Sequence, residues 1–148
     1  MYVEALQIAL SKTADSAWRR LLEQALHKAE VLALVESQLE AKINASKASR
    51  GEKPTKLSKS RRAEIDSFDN DAACLHVEQL ARYKSESSAR EIVATLKSGL
   101  DSDLKFWSSA AKYSHPRDLP TVQEFINAKR ELRESLALCL TSYSASVA

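Results

Sequence analysis

The sequence predicts an all-α fold, and three observations carry that prediction. Helix breakers are scarce: 2 Gly and 3 Pro occur, confined to Gly51 with Pro54, Gly99, and Pro116 with Pro120. These residues punctuate helices most strongly, so the chain divides into a few long uninterrupted segments. Apolar residues within those segments recur at three- and four-residue spacing, the period of one helix face. Alternating apolar and polar runs of the strand type are missing from the sequence.

The elements follow in order. A short helix is predicted near 2–10. A long one follows near 14–46, where Trp18, Leu22, Ala25, Leu32, Leu39 and Ile43 keep four-three spacing, with Ala29 in register and Glu36 as the one lapse. Such a coiled-coil-like seam suits antiparallel packing. Inside it, "VLALV" (residues 31–35) is apolar on every side, so Val31, Leu34 and Val35 are expected to serve a second interface, between copies of the chain. Thirty-odd helical residues span about 45–50 Å. A compact domain of this length is only about 40 Å across. An elongated homo-oligomer is therefore expected.

A flexible basic loop is predicted over 47–60, and a second main helix near 61–84. That helix carries Ile65, Phe68, Ala72 and Leu75 on one face, widened by Val77, Leu80, Ala81 and Tyr83. Its opening "EIDSFDND" is acidic, which suits the positive end of a helix dipole. Ser88-Ala-Arg-Glu91 and Thr121-Val-Gln-Glu124 read as capping boxes and predict helices near 89–98 and 121–143. Asp101 or Ser102 is positioned to cap a separate short helix near 102–112. The expected whole is one domain, 1–148, an elongated bundle. Its two long antiparallel helices, about 14–46 and 61–84, are joined by the basic loop, and shorter helices close it. A chain of 148 residues buries roughly 68–70% of its unfolded surface, enough for a core without metals or disulfides.

Composition narrows the class. The 44% apolar and 28% charged content fits a globular chain rather than a disordered one. Cys74 and Cys139 make no disulfide framework, and both sit among apolar neighbours, so both are expected in the core as reduced thiols. "MYVEALQIAL" lacks the basic start of a signal peptide. No run approaches the 18 or more apolar residues of a membrane span. A cytoplasmic protein is expected, or a nuclear one in a host with a nucleus, neither secreted nor membrane-bound.

Net charge is only +2, but it is unevenly spread. Ala45 to Arg62 holds 7 basic residues against 1 acidic, whereas Ala63 to Pro116 holds 6 against 9. Lys47, Arg50, Lys53, Lys56, Lys59, Arg61 and Arg62 supply the excess. Each basic side chain that meets a nucleic-acid phosphate displaces a condensed counterion, so this segment is expected to contact RNA or DNA backbone. It contains no aromatic on which bases could stack, so binding would be indifferent to sequence. The plain alternative is a solvated connector that lysine keeps in water.

Catalytic chemistry has less support. Cys74-x-His76-x-Glu78 is not a metal site, because on a helix His76 points away from the face shared by Cys74 and Glu78. Two glycines cannot build a phosphate loop, and no cofactor is expected. "FWSSAAKY" gathers Phe106, Trp107 and Tyr113, expected to anchor their helix to the core. "RRLLEQALH" sets Arg20 and His27 two helical turns apart on one face, and this resembles the Arg-x4–6-His motif of HEPN ribonucleases, which are all-helical and often dimeric. In that family a polar residue usually follows the Arg and the pair lies late in the fold. Here Leu21 follows, in an early helix. The resemblance implies a ribonuclease using Arg20 and His27. The main expectation is a non-catalytic assembly or adaptor protein that touches nucleic-acid phosphates through its basic loop and self-associates through the long helix. A protein–protein adaptor without nucleic-acid binding is the alternative.

Overall fold

A computed structural model describes residues 1–51 and 59–147 of the chain, with backbone alone at 59–62, 64–66, 68–73 and 143–147. These residues form five helices: α1 (Tyr2–Ser11), α2 (Ser16–Ser49), α3 (Lys59–Ser85), α4 (Ala89–Ala111) and α5 (Leu119–Val147). No strand occurs among them. The all-α class is as the sequence predicts. No helix among the described residues is long and apolar enough to cross a membrane.

α1 buries one face through Ala5, Leu6, Ile8 and Ala9. Asp15 then starts α2, its carboxylate accepting from the backbone N–H of Ala17 at 2.9 Å and Trp18 at 3.1 Å. Arg19 ties the turn together by donating to the carbonyls of Leu10 (2.7 Å) and Thr13 (3.0 Å). The seam of α2 enters the core as expected, with Trp18, Leu22, Ala25, Ala29 and Leu32 buried and Leu39 packed against them, while Glu36 faces solvent.

α2 finds its main partner in α5. The contacts descend along one helix as they ascend the other. Trp18 Nε1 donates to the Cys139 carbonyl at 2.7 Å, Lys28 pairs with Glu131, Lys42 with Glu124, and Arg50 with Asp118. The two helices are therefore antiparallel over most of their length. In place of the expected pairing of 14–46 with 61–84, the described contacts of α2 run chiefly to α5, while those of α3 run to α1. The reason lies in the apolar faces. α5 offers Phe125, Ala128, Leu132, Leu136 and Cys139 as a buried seam, whereas the described half of α3 leaves Leu75 and Val77 in solvent and buries only Tyr83 fully. Ile65, Phe68 and Ala72 lie where only the backbone is described.

α4 packs antiparallel on α5 and is continuous. Ser88 caps it through its hydroxyl, which accepts from the Glu91 N–H at 3.2 Å. The expected break between 98 and 102 does not occur. A helical glycine costs only about 1 kcal/mol relative to alanine, and burial of Val93, Leu96 and Leu100 carries the helix through Gly99. Asp101 serves as an ion-pair partner of Lys97 and Arg133 instead of a cap. Trp107 meets Phe125 edge to face at 5.0 Å between centroids, and buried Lys129 reaches Asp103 at 3.2 Å. The second capping box is not used either. α5 begins at Leu119, two residues before Thr121, with Pro120 in its first turn, where no intrahelical N–H is needed.

Candidate nucleic-acid interface

The basic segment begins on the last turn of α2, which extends three residues beyond the expected limit of 46. Lys47 lies there, half-buried, where a cation suits the negative end of the helix. Arg50 caps α2, and Gly51 follows at φ +74°, the left-handed conformation that lets the chain turn away without a Cβ clash. α3 begins at Lys59, so Lys59 lies in its first turn rather than in the loop, and Arg61 and Arg62 lie at the start of the helix as expected. Lys53 and Lys56 lie outside the described residues, as does half of the segment 47–60 expected to be flexible.

Arg50 is engaged within the bundle. Its guanidinium forks onto the Asp118 carboxylate, Nη1 to Oδ1 at 2.9 Å and Nη2 to Oδ2 at 3.3 Å, and Nη1 also donates to Ser46 Oγ at 2.8 Å. The two side chains are only 8% and 11% exposed. Arg50, followed by the Ser46 hydroxyl, holds the Asp118 carboxyl below the usual carboxylate range. Bidentate pairs of this kind fix orientation as well as charge. Arg50 thus acts as the clasp that fastens the end of α2 to the start of α5.

That clasp sets the end of α2, where the basic segment begins, beside the α4–α5 connection, residues 112–118. Lys112, Tyr113, His115 and Arg117 are all exposed there, Tyr113 by 88%. Sequence reasoning missed them. Lys112 falls within the net acidic span 63–116, Arg117 in the balanced stretch after it, and Tyr113 is expected in the core. The register of α5 against α2, a contact across 68 positions, is what brings them to this end. Of the expected "FWSSAAKY" anchors only Trp107 packs inward, and Phe106 is 65% exposed.

The expected self-association residues divide. Leu32 takes the core side of "VLALV", Val35 packs partly against the core, and Val31 and Leu34 remain 36% and 58% exposed. Arg20 and His27 are both exposed on α2, separated by about 10 Å of helix rise. Cys74 is exposed, contrary to expectation, because its stretch of α3 lies outside the buried cluster. Cys139 is buried, and desolvation pushes its thiol up to about 11. Among the described residues no group of three or more His, Cys, Asp or Glu side chains is placed to hold a metal.

Compared with known proteins, the chain matches no family model, no curated protein and no solved structure.

Proposed function

We propose that this chain is a non-catalytic helical assembly or adaptor protein. In this reading it holds nucleic-acid phosphates, without sequence specificity, at the end of the bundle closed by Arg50 and Asp118. One observation carries the reading: the Arg50–Asp118 clasp joins the start of the basic segment to a turn bearing Lys112, Arg117 and an exposed tyrosine. Lys47, near the end of α2, and Lys112 with Arg117, in the turn, then lie toward the same end. Tyr113 supplies the stacking surface that the basic segment itself lacks, and base–aromatic stacking tolerates any base. Lys47, Lys53, Lys56, Lys59, Arg61 and Arg62 are the phosphate contacts in this reading, and Arg50 positions them.

Fluorescence-anisotropy titration with short single- and double-stranded RNA and DNA, at several salt concentrations, tests it. The comparison variant changes Lys53, Lys56, Lys59, Arg61 and Arg62 to Gln. Five phosphate contacts give a log–log salt slope of about −4.5 on duplex DNA. Wild type binding with that order of slope, and loss in the variant, supports the proposal. Failure of wild type to bind at low salt sinks it.

The exposure of Val31 and Leu34 beside the α5 surface favours a second reading, a protein–protein adaptor that uses this face to bind another copy or another protein. Leu34→Glu with Val31→Lys, followed by sedimentation, separates the two. Disruption of an oligomer without change in nucleic-acid affinity assigns that face to assembly alone.

A further inference from the structure

From Leu104 to Arg117 the chain carries Lys105, Lys112 and Arg117 and no Asp or Glu. All three cations are exposed, and none forms an ion pair among the described residues. Seven residues are close to two helical turns, so Lys105 and Lys112 stand in one row about 10.5 Å apart. That row faces away from the buried Val93, Leu96 and Leu100 of the same helix. Phe106 and Tyr113 form a second row beside it, with the same separation, and are 65% and 88% exposed. Tyr113 lies just past α4, but its N–H still reaches the Ala110 carbonyl at 3.0 Å, which keeps it in register. Phe106 meets Trp107 edge to face at 5.7 Å, and Trp107 meets Phe125 of α5 in the same manner, so the exposed ring is braced by the core. An open groove of about 410 Å³ runs past Lys105, Ser108, Ser109 and Lys112.

A single exposed aromatic needs no explanation. Two in register beside two unpaired lysines match the two sides of a nucleic-acid single strand, its bases and its phosphates. Phosphates attract lysine whether the strand is single or paired. Bases of a duplex are already stacked on one another, so only a single strand can offer its faces to protruding rings. We infer that this strip of α4 selects single-stranded RNA or DNA over duplex. Phe106 and Tyr113 each stack one base, Lys105 and Lys112 hold the phosphates alongside, and the Ser108 and Ser109 hydroxyls donate to them. The inference rests on the nucleic-acid reading above and adds the class of substrate. The Arg50–Asp118 clasp sets the Tyr113 end of the strip beside the end of α2, so one strand can run from the basic segment onto α4.

The test uses the full chain and a fluorescein-labelled single-stranded DNA of mixed sequence, alone and annealed to its complement, with affinities read by anisotropy. Wild type is expected to bind the single strand more tightly than the duplex by about tenfold or more. Phe106→Leu keeps apolar bulk and removes the ring. It should weaken single-strand binding by roughly five- to 150-fold, the worth of one stacked base, and leave duplex affinity and the thermal midpoint unchanged. Phe106→Trp should bind as wild type does. Lys105→Gln should flatten the single-strand salt slope by about 0.7. Equal wild-type affinity for the two forms overturns the strip and leaves the phosphate reading standing. So does a Phe106→Leu variant that keeps its single-strand affinity, or that loses single strand and duplex alike. Wild type that binds neither form overturns both.

Discussion

The two ends of the α2–α5 pair are held by different forces. At one end Trp18, Leu22 and Ala25 pack against Leu132, Leu136 and Cys139, all nearly or wholly removed from water, and the polar atom of Trp18 bonds the Cys139 carbonyl. At the other, Lys42–Glu124 and Arg50–Asp118 join the helices by charge. Apolar burial is indifferent to salt and to acid over the ordinary range. Ion pairs respond to both. The molecule therefore has a fixed end and an adjustable end, and the basic segment leaves from the adjustable one. In the proposed reading, the phosphate contacts lie at the end joined by ion pairs.

Breaking the fixed end should have the largest effect. Leu22 is fully buried. Leu22→Ala should cost about 2–5 kcal/mol, read from the urea midpoint, with little dependence on salt. Arg50→Gln should cost less and act locally. Amide exchange should quicken over the last turns of α2, and 1 M salt should reproduce part of the change in wild type.

Acid sharpens the same contrast. The carboxyls of Asp118 and Asp101 are held below their ordinary value, Asp118 chiefly by Arg50 and Asp101 chiefly by Arg133. A carboxyl depressed in the folded state stabilises fully above its unfolded pKa, and that contribution is lost as pH falls through the lower folded value. Stability should thus hold steady near neutrality and decline below about pH 4. Asp118→Asn should remove part of that decline in pH-dependent urea titrations.

Smaller effects complete the comparison. Lys42 and Glu124 are each nearly half exposed, so Lys42→Ala should cost at most about 1 kcal/mol. The thiols offer a probe without a stability change. With Ellman's reagent at pH 8, exposed Cys74 should react at once, while Cys139, raised to about 11 by burial, waits for unfolding. Cys74→Ser should abolish the fast phase alone.

Some local signals are legible in the sequence, while the caps expected at Asp101 or Ser102 and at Thr121 are not used. The scarcity of breakers predicts long helices, the Ser88 hydroxyl marks the start of α4, and the Trp18-to-Leu32 spacing marks the buried seam of α2. Non-local choices were not legible. Periodicity shows that α2 has an apolar face but not which helix covers it, so α3, next in sequence, took the place that α5 holds. Gly99 reads as a breaker in the sequence because the compensating burial of Val93, Leu96 and Leu100 depends on distant helices. Arg50 looked like its six basic neighbours, since nothing within the segment points to Asp118. Tyr113, read as an anchor, completes the candidate site only through that distant pair.

The most direct test of the account is the salt dependence of binding to a short single-stranded RNA, compared among wild type, the five-glutamine variant and Tyr113→Ala. Five phosphate contacts on a single strand give a slope of roughly −3.5. One lost stacking contact costs about 1–3 kcal/mol. The account predicts that the five-glutamine variant flattens the slope, while Tyr113→Ala lowers affinity at every salt concentration and leaves the slope unchanged. A wild-type protein that fails to bind at low salt, or binding that neither variant alters, contradicts it.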